Sequence, residues 1–288
     1  MKLATFSAGG APELGLVSDG RIASLSRAAP SLAVDMTDLI ARWPTLEAEV
    51  RRIDADASAE SLALADVVLQ APIRRPGKIM AIGLNYADHI EESKMETPKI
   101  QVWFSKAPTC ANGPYDDIQI PKVSPFVDYE AELVAVVGQG GKHIAAGDAS
   151  KALFGFCCGN DVTERMWQHR VPQWVLGKSF DSHAPFGPWI TTLDEAPDPH
   201  GRAIRCLING EVRQNSNTEH LVFNVWDQIE HLSQAMTLEP GDLIFTGTPG
   251  GVGAAMDPRV FLKAGDVVRV EIDGLGALEN RCANETAP

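Results

Sequence analysis

The stretch that decides the fold of this chain is FVDYEAELVAVV, residues 126–137. Its apolar residues predict a buried β-strand, yet the segment also contains Glu130 and Glu132. Because successive side chains of a strand alternate between faces, these two glutamates project from one face, together with Asp128 and Val134. Two like charges so close on an apolar element are unfavourable unless one carboxyl is protonated or a cation lies between them. The stretch therefore raises the question of a cation site.

A third acid, Asp161, is a candidate ligand of the same cation. Asp161, in CCGNDVTERMWQ, follows a strand-like run that ends at Gly159 and Asn160, a place where side chains reach a cleft. Two strand glutamates and a loop aspartate offer only oxygen ligands, which suit Mg²⁺, Mn²⁺ or Ca²⁺ better than zinc. The alternative is that the glutamates face solvent on an edge strand and that Asp161 caps a helix beginning at residue 162. Taken alone, Glu-x-Glu favours that alternative.

Composition sets the broad class of the protein. The 288 residues are 44% hydrophobic and 22% charged, which is typical of a globular protein with one large or two unequal domains. We find no apolar run long enough to span a membrane, no signal-peptide core and no zinc spacing among the five cysteines. These features predict a cytoplasmic protein without a membrane partner. The net charge of −13 argues against nucleic acid as a partner.

The chain divides near residue 70. Residues 1–70 predict a small module with strands at KLATFS, LGLVS and RIASLS and helices at MTDLIARW, stopped at Pro44, and TLEAEVRRIDAD. Residues 71–288 predict a larger domain with strands at KIMAIGL, ELVAVVG, RCLINGEVRQ, DLIFTGT and DVVRVEID. Its helices are expected near YADHIEES, ASKALFGF and NVWDQIEHLSQAM. Strands and helices do not alternate regularly, so we predict a β-rich α+β fold rather than a doubly wound sheet.

Six segments, in order from about Pro72 to Asn280, resemble the fumarylacetoacetate hydrolase family: AIGLNYADHIEE, DYEAELVAVVG, GNDVTERMWQ, LGKSFDSHAPFGPWI, LEPGDLIFTGTPGGVG and LKAGDVVRVEIDGLGALEN. The resemblance implies a mixed β-sandwich roll preceded by a small N-terminal α/β domain, and a homodimer. It also implies that Glu130, Glu132 and Asp161 hold Mg²⁺ or Mn²⁺.

The resemblance further implies that His89 and Glu92 are a catalytic His-x-x-Glu pair. At this spacing on a helix the two side chains share a face, so the carboxylate can orient the imidazole as a general base for water. The same polar segment predicts a lid over the site. Without the family context, an exposed polar turn is the simpler interpretation. Lys178, in GKSFD, is implied to reach the substrate and stabilise a developing enolate, with Asp181 as a candidate partner.

Substrate-binding residues are implied by the same resemblance. Arg165 and Gln168 match an Arg-x-x-Gln pair that faces the ligand, and Thr248 and Tyr86 complete the predicted set. Thr248 lies in TGTPGGVG, which lacks the Lys-Ser/Thr of a P-loop, but whose backbone N–H groups can hold a carboxylate. Candidates for reading the variable part of the substrate are Trp103, Trp167 and Trp174. The remaining histidines are interpreted as structural, although two of them, His169 and His183, flank the motifs.

The predicted function is metal-dependent hydrolysis of the C–C bond of a 2,4-dioxo acid, of the acylpyruvate or sugar-derived type, to pyruvate or a related 2-oxo acid and a carboxylic acid. Oxaloacetate decarboxylation, and isomerisation or hydration of unsaturated 2-oxo dioic acids, are the alternatives on the same site. All of these reactions pass through an enolate, so the metal ligands do not separate them. A noncatalytic dicarboxylate binder and a structural protein rank lower, because neither a base nor a ligand is missing.

Overall fold

The computed structural model describes residues 1–55, 61–92 and 96–286. Its helices are short, and among the described residues none is long and apolar enough to cross a membrane. The helices are α1 Leu25–Ala28, α2 Met36–Ala41, α3 Trp43–Ala55, α4 Ala87–Glu92, α5 Ala149–Ala152, α6 Arg165–Gln168, α7 Val175–Lys178 and α8 Val225–Ala235.

Strands hold more of the chain than helices do. The strands before residue 130 are β1 Lys2–Ser7, β2 Glu13–Ser18, β3 Arg21–Ser24, β4 Ser61–Ala63, β5 Val68–Gln70, β6 Ile79–Gly83, β7 Val102–Lys106, β8 Ala111–Asn112, β9 Ile118–Ile120 and β10 Val127–Asp128. The later strands are β11 Ala131–Val137, β12 Leu153–Asn160, β13 Thr163–Glu164, β14 Ala184–Thr192, β15 Ala203–Ile208, β16 Glu211–Asn217, β17 Leu243–Phe245, β18 Val267–Ile272 and β19 Gly276–Asn284.

Two sheets organise these strands. The larger has 12 strands, with the order β4-β3-β2-β1-β14-β12-β11-β17-β6-β7 and with β5 and β8 attached to β1 and β14. The second has five strands in the order β16-β15-β18-β19-β9, and β10 pairs with β13 alone. Most neighbours are antiparallel, whereas the pairs β17–β6, β14–β8 and β19–β9 are parallel. The prediction of a β-rich α+β fold is therefore confirmed.

The strand predicted from the opening stretch lies in the middle of the larger sheet. All seven residues of β11 are buried, because β11 pairs with β12 on one side and β17 on the other. Alternate residues contribute to two separate cores: Leu133 and Ala135 face one, and Val134 and Val136 face the other. A nearly continuous apolar run is thus explained by burial on both faces of a central strand.

The N-terminal strands extend the same sheet. β1 pairs with β14, with Leu3 opposite Ile190, and the amino group of Met1 lies 3.2 Å from the carboxylate of Asp194. The predicted strands KLATFS and LGLVS are present, and the helix predicted at TLEAEVRRIDAD begins at Trp43. Pro44 therefore lies in the first turn of α3, where its missing N–H leaves no hydrogen bond unmade. Asp56 falls outside the described residues, and the domain boundary near residue 70 stays a prediction.

One predicted helix is partly wrong. Only Ala149–Ala152 of ASKALFGF is helical, and the following four residues open β12. Phe154 and Phe156 are two residues apart yet pack into different cores, because the pairing of β12 with β11 shifts register at Phe154, as in a β-bulge. A short apolar run flanked by small residues does not distinguish these two structures.

Candidate active site

The three predicted metal ligands meet where the β11–β12 pair ends. Ala131 is paired with Asn160, and the N–H of Asp161 donates to the carbonyl of Glu130 at 2.8 Å, so Glu130 and Asp161 lie opposite each other. Glu132 follows two residues later on the same face. Carboxylate oxygens of the three residues lie within 4.8 Å of one another. We call Glu130, Glu132 and Asp161 the acidic triad.

One detail of the predicted setting is wrong, because Glu130 does not lie within β11 but in the short break between β10 and β11. The alternative to a metal site, glutamates facing solvent on an edge strand, is contradicted, because Glu130, Glu132 and Asp161 are 5%, 1% and 0% exposed. Nor does Asp161 cap a helix. The following helix, α6, begins at Arg165 and is capped by Glu164, whose carboxylate accepts from the N–H of Trp167.

Three buried or nearly buried cations hold the triad in place. The Lys178 ammonium contacts Glu130 at 2.7 Å and Asp161 at 2.6 Å, and Lys106 binds the other oxygen of Asp161 at 2.5 Å. Arg165 lies 2.7 Å from the second oxygen of Glu130. Burial opposes ionisation of Glu130, but the charges of Lys178 and Arg165 outweigh it and lower its pKa to about 2. Glu130 is therefore an anion at neutral pH.

Glu132 is the member of the triad whose negative charge is not paired with a basic side chain in the described part of the chain. Within the described residues no basic group lies within ion-pair distance of it, and its carboxylate accepts one hydrogen bond, from the N–H of Gly247 at 2.8 Å. Burial, and then the negative charges of Asp161 and Glu130, raise the pKa of Glu132 well above its ordinary value.

This donor set fits a divalent cation. Ionised carboxylates offer about four lone-pair sites each, so the existing contacts leave acceptor capacity at every triad member. A cation there would balance the unmatched charge of Glu132, and the all-oxygen set suits a hard ion such as Mg²⁺ or Mn²⁺.

Asp128, predicted on the same face as the glutamates, has a different role. It lies in β10, before the break, and is fully buried. Its carboxylate accepts from the N–H groups of Gly253 and Ala254 at 2.8 and 2.9 Å and from the guanidinium of Arg165 at 2.8 Å. Asp128 thus ties the glycine-rich loop to the arginine that holds Glu130.

The backbone N–H groups of the glycine-rich loop, residues 246–254, do bind carboxylates, but these belong to the protein. Besides Asp128, Glu132 accepts from Gly247, and Glu92 accepts from Gly251 at 3.0 Å. The prediction that the loop's backbone N–H groups hold a carboxylate is therefore met at these positions by internal acids rather than by a ligand.

The predicted catalytic pair lies on α4, beside this loop. Nδ1 of His89 lies 3.6 Å from the carboxylate of Glu92, longer than a hydrogen bond but close enough for an electrostatic contact. Burial opposes ionisation of Glu92, but His89 and the Gly251 N–H outweigh it, so the pKa of Glu92 is lowered. Asp88 adds a second tie to the loop, since its carboxylate accepts from the N–H of Gly250 at 3.3 Å. The helix is docked on the loop by two acids.

Glu130 and Glu132 of the triad and the His89–Glu92 pair line one cavity of about 700 Å³, and Asp161 lies behind them, fully buried. The cavity lining includes most of the predicted site residues: His89, Glu92, Glu130, Glu132, Arg165, Gln168, Lys178 and Thr248. Trp174 lines it as well, whereas Trp103 and Trp167 are not among the lining residues. Tyr86 is fully buried in the core rather than in the lining, and burial, then the charge of Glu132, raises the pKa of its hydroxyl. Lys178 pairs with the triad, and within the described ranges no ion pair joins it to Asp181.

Several residues that contribute to the site were not predicted from the sequence. Lys106 closes a strand in VWFSKAP, where a single lysine carries no pattern, and only the fold shows that it is 2% exposed against Asp161. Gln214 binds the hydroxyl of Thr248 at 2.9 Å from a strand of the second sheet. Arg259 and Phe104 also line the cavity from segments without a recognisable motif.

Comparisons with known proteins agree with this arrangement. A family model described as fumarylacetoacetate (FAA) hydrolase C-terminal matches residues 78–283. Oxaloacetate tautomerase Fahd2a, mitochondrial, of Rattus norvegicus is 42% identical over 273 residues, which cover 94% of this chain and 87% of that protein.

Solved structures are similar over the whole chain. Fumarylacetoacetate hydrolase from psychrophilic Exiguobacterium antarcticum has a TM-score of 0.89 and 34% identity, covering 99% of this chain and 100% of that one. Maleylpyruvate hydrolase from Sphingobium sp. SYK-6, in complex with manganese(II) ion and pyruvate, has a TM-score of 0.84 and 30% identity with the same coverage. The printed name of the rat relative favours the predicted alternative, an oxaloacetate decarboxylase or an isomerase or hydratase of unsaturated 2-oxo dioic acids, over the C–C hydrolase, although tautomerisation itself was not among the predicted reactions.

Proposed function

The chain belongs to the fumarylacetoacetate hydrolase family, and from this premise we propose that it is a divalent-metal-dependent enzyme that interconverts the keto and enol forms of oxaloacetate or a closely related 2-oxo diacid. One observation carries the proposal: Glu130 and the unmatched Glu132 of the buried triad line the same cavity as the His89–Glu92 pair. A site for a cation that can bind an enol oxygen, and a histidine that can move a carbon-bound proton, thus face the same cavity.

The proposed cofactor is Mg²⁺ or Mn²⁺, held by Glu130, Glu132 and Asp161. When bound, the cation supplies Lewis-acid stabilisation of the oxygen at C2 of the substrate. Oxygen ligands and burial support both ions equally, and the manganese in the maleylpyruvate hydrolase structure belongs to that protein.

His89 is the proposed proton carrier. Its Nδ1 faces Glu92, which leaves Nε2 for the cavity that His89 lines. In the keto-to-enol direction the C3–H bond breaks, its proton passes to Nε2, and the protonated imidazole then returns that proton to the C2 oxygen. In the reverse direction C3 is protonated again, so no other reactant is consumed. Glu92 orients the ring and stabilises its protonated form.

Lys178 and Arg165 contact the substrate at the buried end of the cavity in this proposal. The Lys178 ammonium stands between Glu130 and Asp161, where negative charge on the C2 oxygen develops, and it needs no reorganisation during the reaction. Arg165 and Gln168 are joined by a hydrogen bond of 3.1 Å and line the adjacent wall, where they can bind the C1 carboxylate.

Hydrolysis of a 2,4-dioxo acid is the second candidate. The His89–Glu92 pair favours it, because a general base beside a cavity can take a proton from water attacking C4. The C3–C4 bond then breaks, and Lys178 stabilises the charge left on the 2-oxo fragment. The similarity to maleylpyruvate hydrolase supports this candidate.

A spectrophotometric panel tests both. The protein, with Mg²⁺ or Mn²⁺ and with or without chelator, is given enol-oxaloacetate and a set of 2,4-dioxo acids. We expect accelerated loss of the enol absorbance without release of CO₂, abolished by chelation. Pyruvate and CO₂ from oxaloacetate would instead show a decarboxylase. Pyruvate and a carboxylic acid from a 2,4-dioxo acid, with no acceleration on oxaloacetate, would establish the hydrolase.

Assembly and location are further proposals. A homodimer is supported by exposed apolar side chains on and around α6 and α7: Phe126, Met166, Val171, Leu176 and Val260. Light scattering should give twice the 31.0 kDa of one chain, and a monomer at micromolar concentration would contradict the proposal.

A cytoplasmic location is supported by five free, buried cysteines, although the rat relative's printed name places that protein in mitochondria. Fractionation of cells that express the protein tests it.

A further inference from the structure

We propose that Arg259 forms a second anion subsite at the exposed end of the cavity, which binds the distal carboxylate of a 2-oxo dicarboxylate whose 2-oxo acid end lies at the acidic triad. The inference rests on the proposed function, because it names the substrate class of the same site. It assigns a role to a residue outside the segments that carry the family resemblance.

The position of Arg259 is set by backbone contacts of the residues that follow it. The N–H of Val260 donates to the carbonyl of Gly253 at 3.1 Å, and the N–H of Leu262 donates to that of Val127 at 2.8 Å. Gly253 is in turn fixed by the carboxylate of Asp128. The loop that carries Arg259 is therefore tied to the acid that holds Arg165.

Arg259 and the triad lie at different depths in the cavity. Arg259 lines the same cavity as Glu130 and Glu132, but Arg259 is exposed, whereas every triad residue is at most 5% exposed. A ligand that reaches both must extend from the buried end to the opening. Phe104, Trp174 and Val252 share the lining and offer apolar surface to a short carbon chain.

Charge pairing singles out Arg259. Arg165 and Lys178 are committed to Asp128 and the triad, and His89 faces Glu92. Across the described ranges, Arg259 takes part in none of the ion pairs. Arg259 is thus the strong cation of the lining that pairs with no internal acid among the described residues, whereas Arg165 would share its charge between Asp128, Glu130 and a ligand. A guanidinium matches the geometry of a carboxylate.

His169 supports the same location. It follows α6, lines the cavity and is exposed. Partial burial, and then the positive charges of Arg165 and Arg259, lower its pKa, so His169 is neutral at physiological pH and lies within the electrostatic reach of both arginines. A neutral imidazole beside Arg259 can donate a hydrogen bond to a carboxylate without adding repulsion between cations.

The experiment measures equilibrium binding to Mg²⁺-loaded protein by calorimetry. The two ligands are oxaloacetate and 4-methyl-2-oxopentanoate, in which an isopropyl group of similar shape replaces the distal carboxylate. The variant is Arg259→Gln. The matched control is Arg170→Gln, which removes an exposed arginine that stacks on Trp167 at 4.5 Å and is not among the residues lining the cavity.

We expect the unaltered protein to bind oxaloacetate roughly 10- to 100-fold more tightly than the apolar analogue. Arg259→Gln should remove this preference while leaving affinity for the analogue within about 2-fold, and Arg170→Gln should retain it. A preference that survives Arg259→Gln, or that is absent from the unaltered protein, overturns the subsite.

Turnover, followed separately, distinguishes the two proposals. An Arg259-dependent preference in a protein that does not tautomerise oxaloacetate would refute the proposed function and leave the subsite standing. Tautomerisation of oxaloacetate with no dependence of binding on Arg259 would do the reverse.

Discussion

The two walls of the cavity hold their polar groups in different ways. At the buried end, the triad is mounted on two central strands and clamped by Lys106, Lys178 and Arg165. On the opposite wall, His89 and Glu92 stand on a six-residue helix that is docked on the glycine-rich loop through Asp88 and Glu92. The first arrangement favours fixed geometry around a cation, and the second favours a group that moves a proton. Changes at the two walls should therefore have separable effects.

The largest effect is expected from Glu132→Ala. Removing this ligand should abolish Mg²⁺ binding in calorimetry and reduce turnover by more than about 10³-fold, since Lewis-acid stabilisation contributes several kcal/mol. Because Glu132 is buried without a cationic partner, the metal-free variant should remain folded. Glu219→Ala, at an exposed acid, is the control. Unchanged Mg²⁺ affinity in Glu132→Ala would remove the triad from the account.

His89→Ala should impair proton transfer at the second wall and leave the metal site unaffected. We expect turnover to fall by roughly 10²- to 10⁴-fold, the usual contribution of a general acid–base group. Metal affinity, measured by the same calorimetry, should stay as in the unaltered protein, because His89 has no contact with the triad ligands among the ion pairs described. A nearly normal rate would exclude His89 as the proton carrier.

Glu92→Gln should have a smaller effect. The amide keeps an oxygen for the N–H of Gly251, so α4 stays docked, but the charge that orients His89 is lost. A loss of about 10-fold in turnover, with a shifted pH–rate profile, corresponds to one charge-assisted contact. An unchanged profile would show that Glu92 serves only to dock the helix.

The smallest effect is a pH dependence of metal stabilisation. Because the pKa of Glu132 is raised from 4.5, the metal-free protein keeps a proton that the unfolded chain has lost, and this contribution to stability falls as pH rises above 4.5. Glu130, with a pKa lowered to about 2, loses its contribution only as pH falls below 4.5. The gain in Tm on adding Mg²⁺ should therefore grow between about pH 5 and pH 8. A constant gain would contradict a proton held at Glu132.

The sequence predicted the buried end better than the rest. Strand periodicity in FVDYEAELVAVV placed the two glutamates on one face, and Asp161 at the end of the next strand joined them because the strands are antiparallel neighbours. Periodicity did not reveal the break before β11, since Glu130 stays opposite Asp161 through one hydrogen bond. The separate role of Asp128 depends on that break.

Long-range contacts account for what the sequence did not reveal. Lys106 is 55 positions from Asp161 in the chain, and Gln214 reaches Thr248 from the other sheet, so no local pattern marks either residue. The helix predicted at ASKALFGF failed for a related reason, because pairing of β12 with β11 and β14 decides the structure there. Tertiary context overrides local preference at such positions.

Anomalous diffraction from a crystal soaked in Mn²⁺ tests the central claim most directly. The account predicts one strong manganese peak among the carboxylates of Glu130, Glu132 and Asp161, at the buried end of the cavity that His89 lines. A peak at another group of acids, or no peak at a Mn²⁺ concentration that supports turnover, would contradict it.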